Sequence, residues 1–254
     1  MGMTMKEKVN ILGIPFIKTK REELTKLLID KMDYQEKCFV VTANPEIVMH
    51  AQKDAEYQKT VLSADYIVPD GIGIIIASRI IRDHLPERVA GFDLMMDLLS
   101  EINKRKKKIF LLGAEVTVVK KAAQKISERF PQIQIVGYHH GYFQLDDLEI
   151  AQKVLHSDAD LILVALGFPR QEMWISKYYQ MFTKGVFIGV GGSFDVLAEK
   201  VKRAPVLWQK LNIEWLYRLI QQPSRWKRMI ALPQFLIKII WLKFKKNVRM
   251  RLNL

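Results

Sequence analysis

Two patterns of apolar residues alternate along the first 200 positions. Short β-rich runs occur at Val9–Leu12, Cys38–Thr42, Tyr66–Val68, Ile109–Leu112, Ile133–Val136, Leu161–Leu166 and Val186–Val190, and each predicts a strand. Between them, apolar residues recur every three or four positions. These stretches predict helices at about residues 19–33, 45–63, 72–82, 91–105, 115–129, 146–156 and 171–181. The central runs, such as Leu161–Leu166, are apolar without alternation, as strands covered on both sides require. The expected fold is α/β, a mostly parallel Rossmann-like sheet with helices on both faces.

The pattern changes after Lys200. Ala204-Pro205 opens a helical stretch with Leu211, Trp215 and Leu219 on one face. Pro223 and Pro233 are expected to interrupt it, before the mainly apolar run Phe235–Phe244 and the bases Lys245, Lys246, Arg249 and Arg251. The expected organisation is therefore an α/β body at 1–200 and a helical, basic appendage at 201–254.

Charge sharpens that division. The 254 residues carry a formal net charge of +13, yet residues 201–254 hold 13 Lys/Arg against the single acid Glu214. Four of the five tryptophans (Trp208, Trp215, Trp226, Trp241) lie there too. An anionic partner is implied, either nucleic acid, a membrane surface or a phosphorylated ligand. The bases are interleaved with Leu, Ile, Phe and Trp at helical spacing, which suits an anionic membrane surface and speaks against nucleic acid. No run approaches the ~20 apolar residues of a membrane span, and Met1–Asn10 has no stretch of signal-peptide length. The lone Cys38 sits in an apolar run and fits a cytoplasmic protein. Lys104–Lys108 reads as a solvated turn.

In an open α/β sheet, ligands bind past the carboxyl ends of the strands. Thr42 stands at one such tip, followed by Asn44-Pro45, where Asn44 can cap a helix. Asp70 follows the third run, beside Gly71 and Gly73; it either caps the next helix or presents a carboxylate as a base. Gly113, Gly167 and the pair Gly191-Gly192 each precede a helix start, a pattern that lets backbone N–H groups approach phosphate. None matches a dinucleotide or P-loop fingerprint. His139-His140 are adjacent and, on a strand, would face opposite ways. Asp158-Ala159-Asp160 precedes its strand and so falls on the edge away from the ligand side.

Seven segments, in order, resemble the WecG/TagA/CpsF glycosyltransferase family. They are Thr42–Glu46, Pro69–Gly71, Pro86–Gly91, Leu111–Ala114, His139–Phe143, Gly167–Glu172 and Gly189–Asp195, within about residues 9–230. Lys202–Pro205 and Glu214–Arg218 are similar to its TagA/TarA branch. The resemblance implies an inverting transferase that needs neither metal nor cofactor. The donor would be UDP-N-acetylmannosamine and the acceptor undecaprenyl-diphosphate-GlcNAc, at the base of wall teichoic acid. Another donor (mannosaminuronic acid, glucose or galactose) is the alternative. Asp70 would be the base, with Arg88, Thr42 and Gln171 as catalytic partners and Asp195 at the ribose or uracil. Arg218, Arg225 and Arg228 of the appendage would hold the diphosphate. The expected location is cytoplasmic, peripheral on the inner face of the membrane, with a homo-oligomer when off it.

Overall fold

The computed structural model describes residues 7–223 and 226–251. The chain opens with a hairpin of β1 (Lys8–Ile11) and β2 (Ile14–Ile17), then α1 (Arg21–Asp33). β3 (Lys37–Ala43) leads into α2 (Pro45–Ala51) and α3 (Ala55–Leu62). β4 (Tyr66–Pro69) is followed by α4 (Ile72–Ile80) and α5 (Gly91–Lys104). Then come β5 (Lys108–Gly113), α6 (Val116–Arg129), β6 (Gln134–His139), α7 (Leu148–His156), β7 (Leu161–Ala165), α8 (Arg170–Tyr178), β8 (Gly185–Gly189) and α9 (Ser193–Leu197). The C-terminal segment forms α10 (Val206–Lys210), α11 (Glu214–Gln221), α12 (Trp226–Met229) and α13 (Ala231–Arg251).

Six strands form one parallel sheet in the order β4-β3-β8-β7-β5-β6. The uninterrupted apolar runs resolve into two faces. Phe39, Phe110, Ile162 and Phe187 point into a core shared with α2, α3, α4, α7, α8 and α13. Cys38, Ile109, Leu163 and Ile188 point into one shared with α1, α5, α6 and α9. The helix after β3 thus lies on one face and the helix after β8 on the other. β3 and β8 are neighbours, so a crevice opens between their carboxyl ends.

Three local expectations change. Residues 45–63 form two helices, because the Asp54 side chain accepts from the N–H groups of Glu56 and Tyr57, both at 3.0 Å, and caps a new start. Strand β2 adds to the expected strands, its sequence signal weakened by Pro15; Leu12 and Gly13 turn the hairpin with φ of 52° and 81°. Pro233 does not interrupt a helix. It is the third residue of α13, where backbone N–H groups have no intrahelical acceptor to lose.

Helix α13 packs on α2 and α4 through Phe235, which is fully buried, and Ile239. The close approach depends on Gly73. A Cβ there would lie 2.6 Å from Leu232 Cδ1 and 2.7 Å from Pro45 Cγ. The opposite side leaves Ile237, Ile240, Trp241 and Phe244 exposed. Among the described residues, no helix is long and apolar enough to cross a membrane.

Candidate active site

A cavity of about 300 Å³ lies over the carboxyl ends of β4, β3 and β8, roofed by residues of α11 and α13. Asp70 follows β4 directly, and its backbone N–H donates to Ala43 O at 2.9 Å, so the strand ladder fixes its position. The segment after α4 folds back onto the same tip, where Val89 N–H donates to Pro69 O at 2.8 Å. That bond sets Arg88 beside Asp70. The chain then enters α5, whose first residue, Gly91, donates its N–H to the Asp70 carboxylate.

The electrostatics of Asp70 are mixed. Burial pushes its carboxyl above the ordinary aspartate range, against the pull of Arg88 and Arg218, while Glu214 pushes the same way as burial. A carboxylate held in this way is a stronger base than a solvated one, and it faces cations able to hold an anion.

Thr42 lines the cleft at the tip of β3, its hydroxyl 3.4 Å from Gly189 O. The start of α5 presses on it: a Cβ on Gly91 would stand 3.1 Å from Thr42 Oγ1. Asn44 also lines the cleft, but its side-chain oxygen accepts from Ile47 N at 3.0 Å, so it caps α2 with Pro45 in the first turn.

Gln171 is buried beneath the Gly191-Gly192 turn. Its Oε1 accepts from Gly191 N at 3.0 Å and its Nε2 donates to Glu172 Oε1 at 2.7 Å. Burial raises the Glu172 carboxyl to about 7, although Tyr57 donates its hydroxyl to Oε2 at 3.3 Å. Gly191 has φ of 50°, which turns the chain into α9 and exposes the pair to the cleft.

Two expected ligand contacts lie elsewhere. Gly113 is not at the cleft: its φ is 126°, and a Cβ would come within 2.4 Å of the Ala165 backbone, so glycine here serves strand packing. Asp195 lines an adjoining pocket of about 200 Å³, which shares Gly192, Arg203 and Arg218 with the main cavity. The His139 and His140 rings lie side by side, centroids 4.3 Å apart and tilted by 40°, rather than diverging, because His140 lies past the strand end. Asp158 and Asp160 pair with Lys108 and Lys184 at the opposite, amino edge.

Of the three appendage arginines, Arg218 reaches the cleft. Arg225 lies outside the described residues, as does the side chain of Arg228. Arg203, Asn212, Glu214 and Trp215 also line the cavity, beyond the expected site residues. All but Asn212 sit in Lys202–Pro205 and Glu214–Arg218, whose likeness to the TagA/TarA branch is the sequence signal that marks them.

Comparison with known proteins agrees with this geometry. Residues 9–249 match the glycosyl transferase WecG/TagA/CpsF family. The chain is 42% identical over 245 residues to a Bacillus subtilis (strain 168) protein named N-acetylglucosaminyldiphosphoundecaprenol N-acetyl-beta-D-mannosaminyltransferase, covering 93% of this chain and 92% of that protein. It is 38% identical over 244 residues to a Staphylococcus aureus (strain MW2) protein of the same name, covering 95% of each. A Bacillus spizizenii (strain W23) protein so named is 41% identical over 82% of this chain and 81% of its own. The match runs through the sheet, the crevice loops and most of the appendage alike, and the chain belongs to the WecG/TagA/CpsF family of glycosyl transferases.

Proposed function

We propose that this chain transfers N-acetylmannosamine from UDP-N-acetylmannosamine to the GlcNAc of undecaprenyl-diphosphate-GlcNAc, with inversion and without a metal. The observation that carries the reading is Asp70, raised in basicity by burial and flanked by Arg88 and Arg218 in the cavity over the carboxyl ends of the sheet. Asp70 takes the proton from the acceptor hydroxyl as its oxygen bonds to the sugar's anomeric carbon. UDP departs from the opposite face with the bonding electrons. Arg88, Arg218 and the backbone N–H groups around Gly191-Gly192 meet the charge that builds on the leaving phosphate, the task a metal performs elsewhere. Thr42 orients the sugar, Gln171 holds the glycine turn, and Asp195 in the adjoining pocket serves the ribose or uracil.

The acceptor is lipid-linked, and the exposed side of α13 supports a peripheral site on the inner, anionic face of the membrane. Ile237, Ile240, Trp241 and Phe244 stand beside Lys238 and Lys245, a composition suited to the headgroup boundary. Off the membrane the same side offers a surface for self-association.

The decisive experiment is a panel of UDP-sugars offered with the undecaprenyl-type acceptor. Turnover with UDP-N-acetylmannosamine in the presence of EDTA is the expected result. Preference for the glucose, galactose or mannosaminuronic acid donor would replace the sugar assignment, and a strict Mn²⁺ requirement would remove the metal-free one. Co-sedimentation with anionic vesicles, lost on deleting residues 201–254, is expected; oligonucleotide binding in its place would overturn the membrane reading.

A further inference from the structure

Glu214 is an uncommon residue for its place. It opens α11, is 7% exposed, and lines the cavity among arginines. A buried carboxylate is costly unless its charge is answered. Arg218, one turn along the same helix, donates to its Oε1 at 2.6 Å. Arg203, from the segment before α10, has Nε 3.9 Å from the same oxygen, a charge contact rather than a hydrogen bond. Arg203 in turn donates to Asp93 Oδ1 at 2.6 Å and stacks on Phe92, both in the first turn of α5. Charges therefore alternate from the α/β body to the cleft, from Asp93 through Arg203 and Glu214 to Arg218, which faces Asp70. An exposed pair four residues apart on a helix would contribute little. Here the carboxylate is buried, although the Arg218 side chain is 38% exposed, and it reaches a second element of the chain.

We infer that Glu214 is a positioning residue for the transfer reaction: it holds the Arg218 guanidinium over Asp70 and, through Arg203 and Asp93, registers that arginine against the body. The inference rests on the proposed role of Arg218 at the phosphates. Without Glu214, Arg218 keeps its charge but loses its fixed direction, and an untethered arginine gives up the orientation that phosphate recognition needs.

The test compares Glu214→Ala in the wild-type and Arg218→Ala backgrounds, with kcat/KM for transfer as the readout. Glu214→Ala should lower kcat/KM at least about tenfold in the wild type, the size of a charge-assisted hydrogen bond. In the Arg218→Ala background it should lower it no further. Glu214→Gln, which keeps an acceptor oxygen, should recover part of the loss. Equal losses in both backgrounds would show a role in the scaffold only and overturn the inference, as would full activity of Glu214→Ala. Full activity of Arg218→Ala would overturn the role of Arg218 itself and this inference with it. Asp93→Asn covers the case in which Glu214→Ala fails to fold; it should show the same dependence on Arg218, and an equal loss in both backgrounds would count against the inference.

Discussion

The side-chain oxygen of Gln171 accepts a hydrogen bond from the backbone N–H of Gly191 at 3.0 Å. One side chain from the start of α8 thereby fixes the turn after β8. Gln171→Leu keeps the bulk and strands the N–H, which costs about 1–3 kcal/mol if the turn stays in place. The turn should relax instead. Steady-state kinetics should show kcat falling about tenfold or more, because the Gly191-Gly192 N–H groups no longer meet the charge on the leaving phosphate. A rise in KM with kcat unchanged would mean that the turn serves only to bind the sugar nucleotide.

Asp70→Asn removes the proposed base and leaves its backbone bond to Ala43 in place. Transfer should fall by about 10²–10⁴-fold while the variant still folds and unfolds cooperatively. The wild-type rate should rise with pH along a limb displaced above the ordinary aspartate range, because the unprotonated form is the active one and burial raises its pKa. The limb should be absent from the residual activity of Asp70→Asn. Near-normal turnover by that variant would end the assignment.

Glu172 offers a test of stability against pH. Its carboxyl titrates at about 7 in the folded protein, against 4.5 for a free one. Between those values the folded state keeps a proton that the unfolded state has released. Wild-type stability should thus fall as pH rises from about 4.5 to about 7. Glu172→Gln stays neutral throughout and keeps an acceptor for Gln171. Its advantage in thermal unfolding should be close to nil at pH 4 and grow to about 3 kcal/mol by pH 8. A gap independent of pH would show that Glu172 does not titrate in this range.

Gly73→Val addresses the docking of α13. The added atoms would press into Leu232 and Pro45, and overpacking of this kind costs about 1–3 kcal/mol. The helix should leave α4, and limited proteolysis should cut within residues 231–251 faster than in the wild type. Gly73→Ala should be intermediate. Equal cleavage rates would mean that the contact yields without undocking.

The parallel sheet was readable because strands buried on both faces advertise themselves, as Leu161–Leu166 does. The strand tips followed from it, and Thr42, Asp70 and Gly191 all line the cavity. What could not be read came from partners distant in sequence. Gly113 looks like a phosphate turn until Ala165 is seen 2.4 Å from where its Cβ would be. Arg88 has no local reason to face Asp70; the Val89 to Pro69 hydrogen bond brings it there. Glu214 reads as a lone acid in a basic segment, and its two arginines give it meaning only once α11 has folded over the body.

Helix α13 carries an apolar side against α2 and α4 and a second one turned outward. In plain water that second side is a solubility liability, with Trp241 and Phe244 left wet. Any handling that strips amphiphiles from a preparation penalises this helix first. Loss of transfer on storage should therefore begin at the roof of the cleft, through shedding or clumping of residues 231–251, while the sheet beneath is still intact.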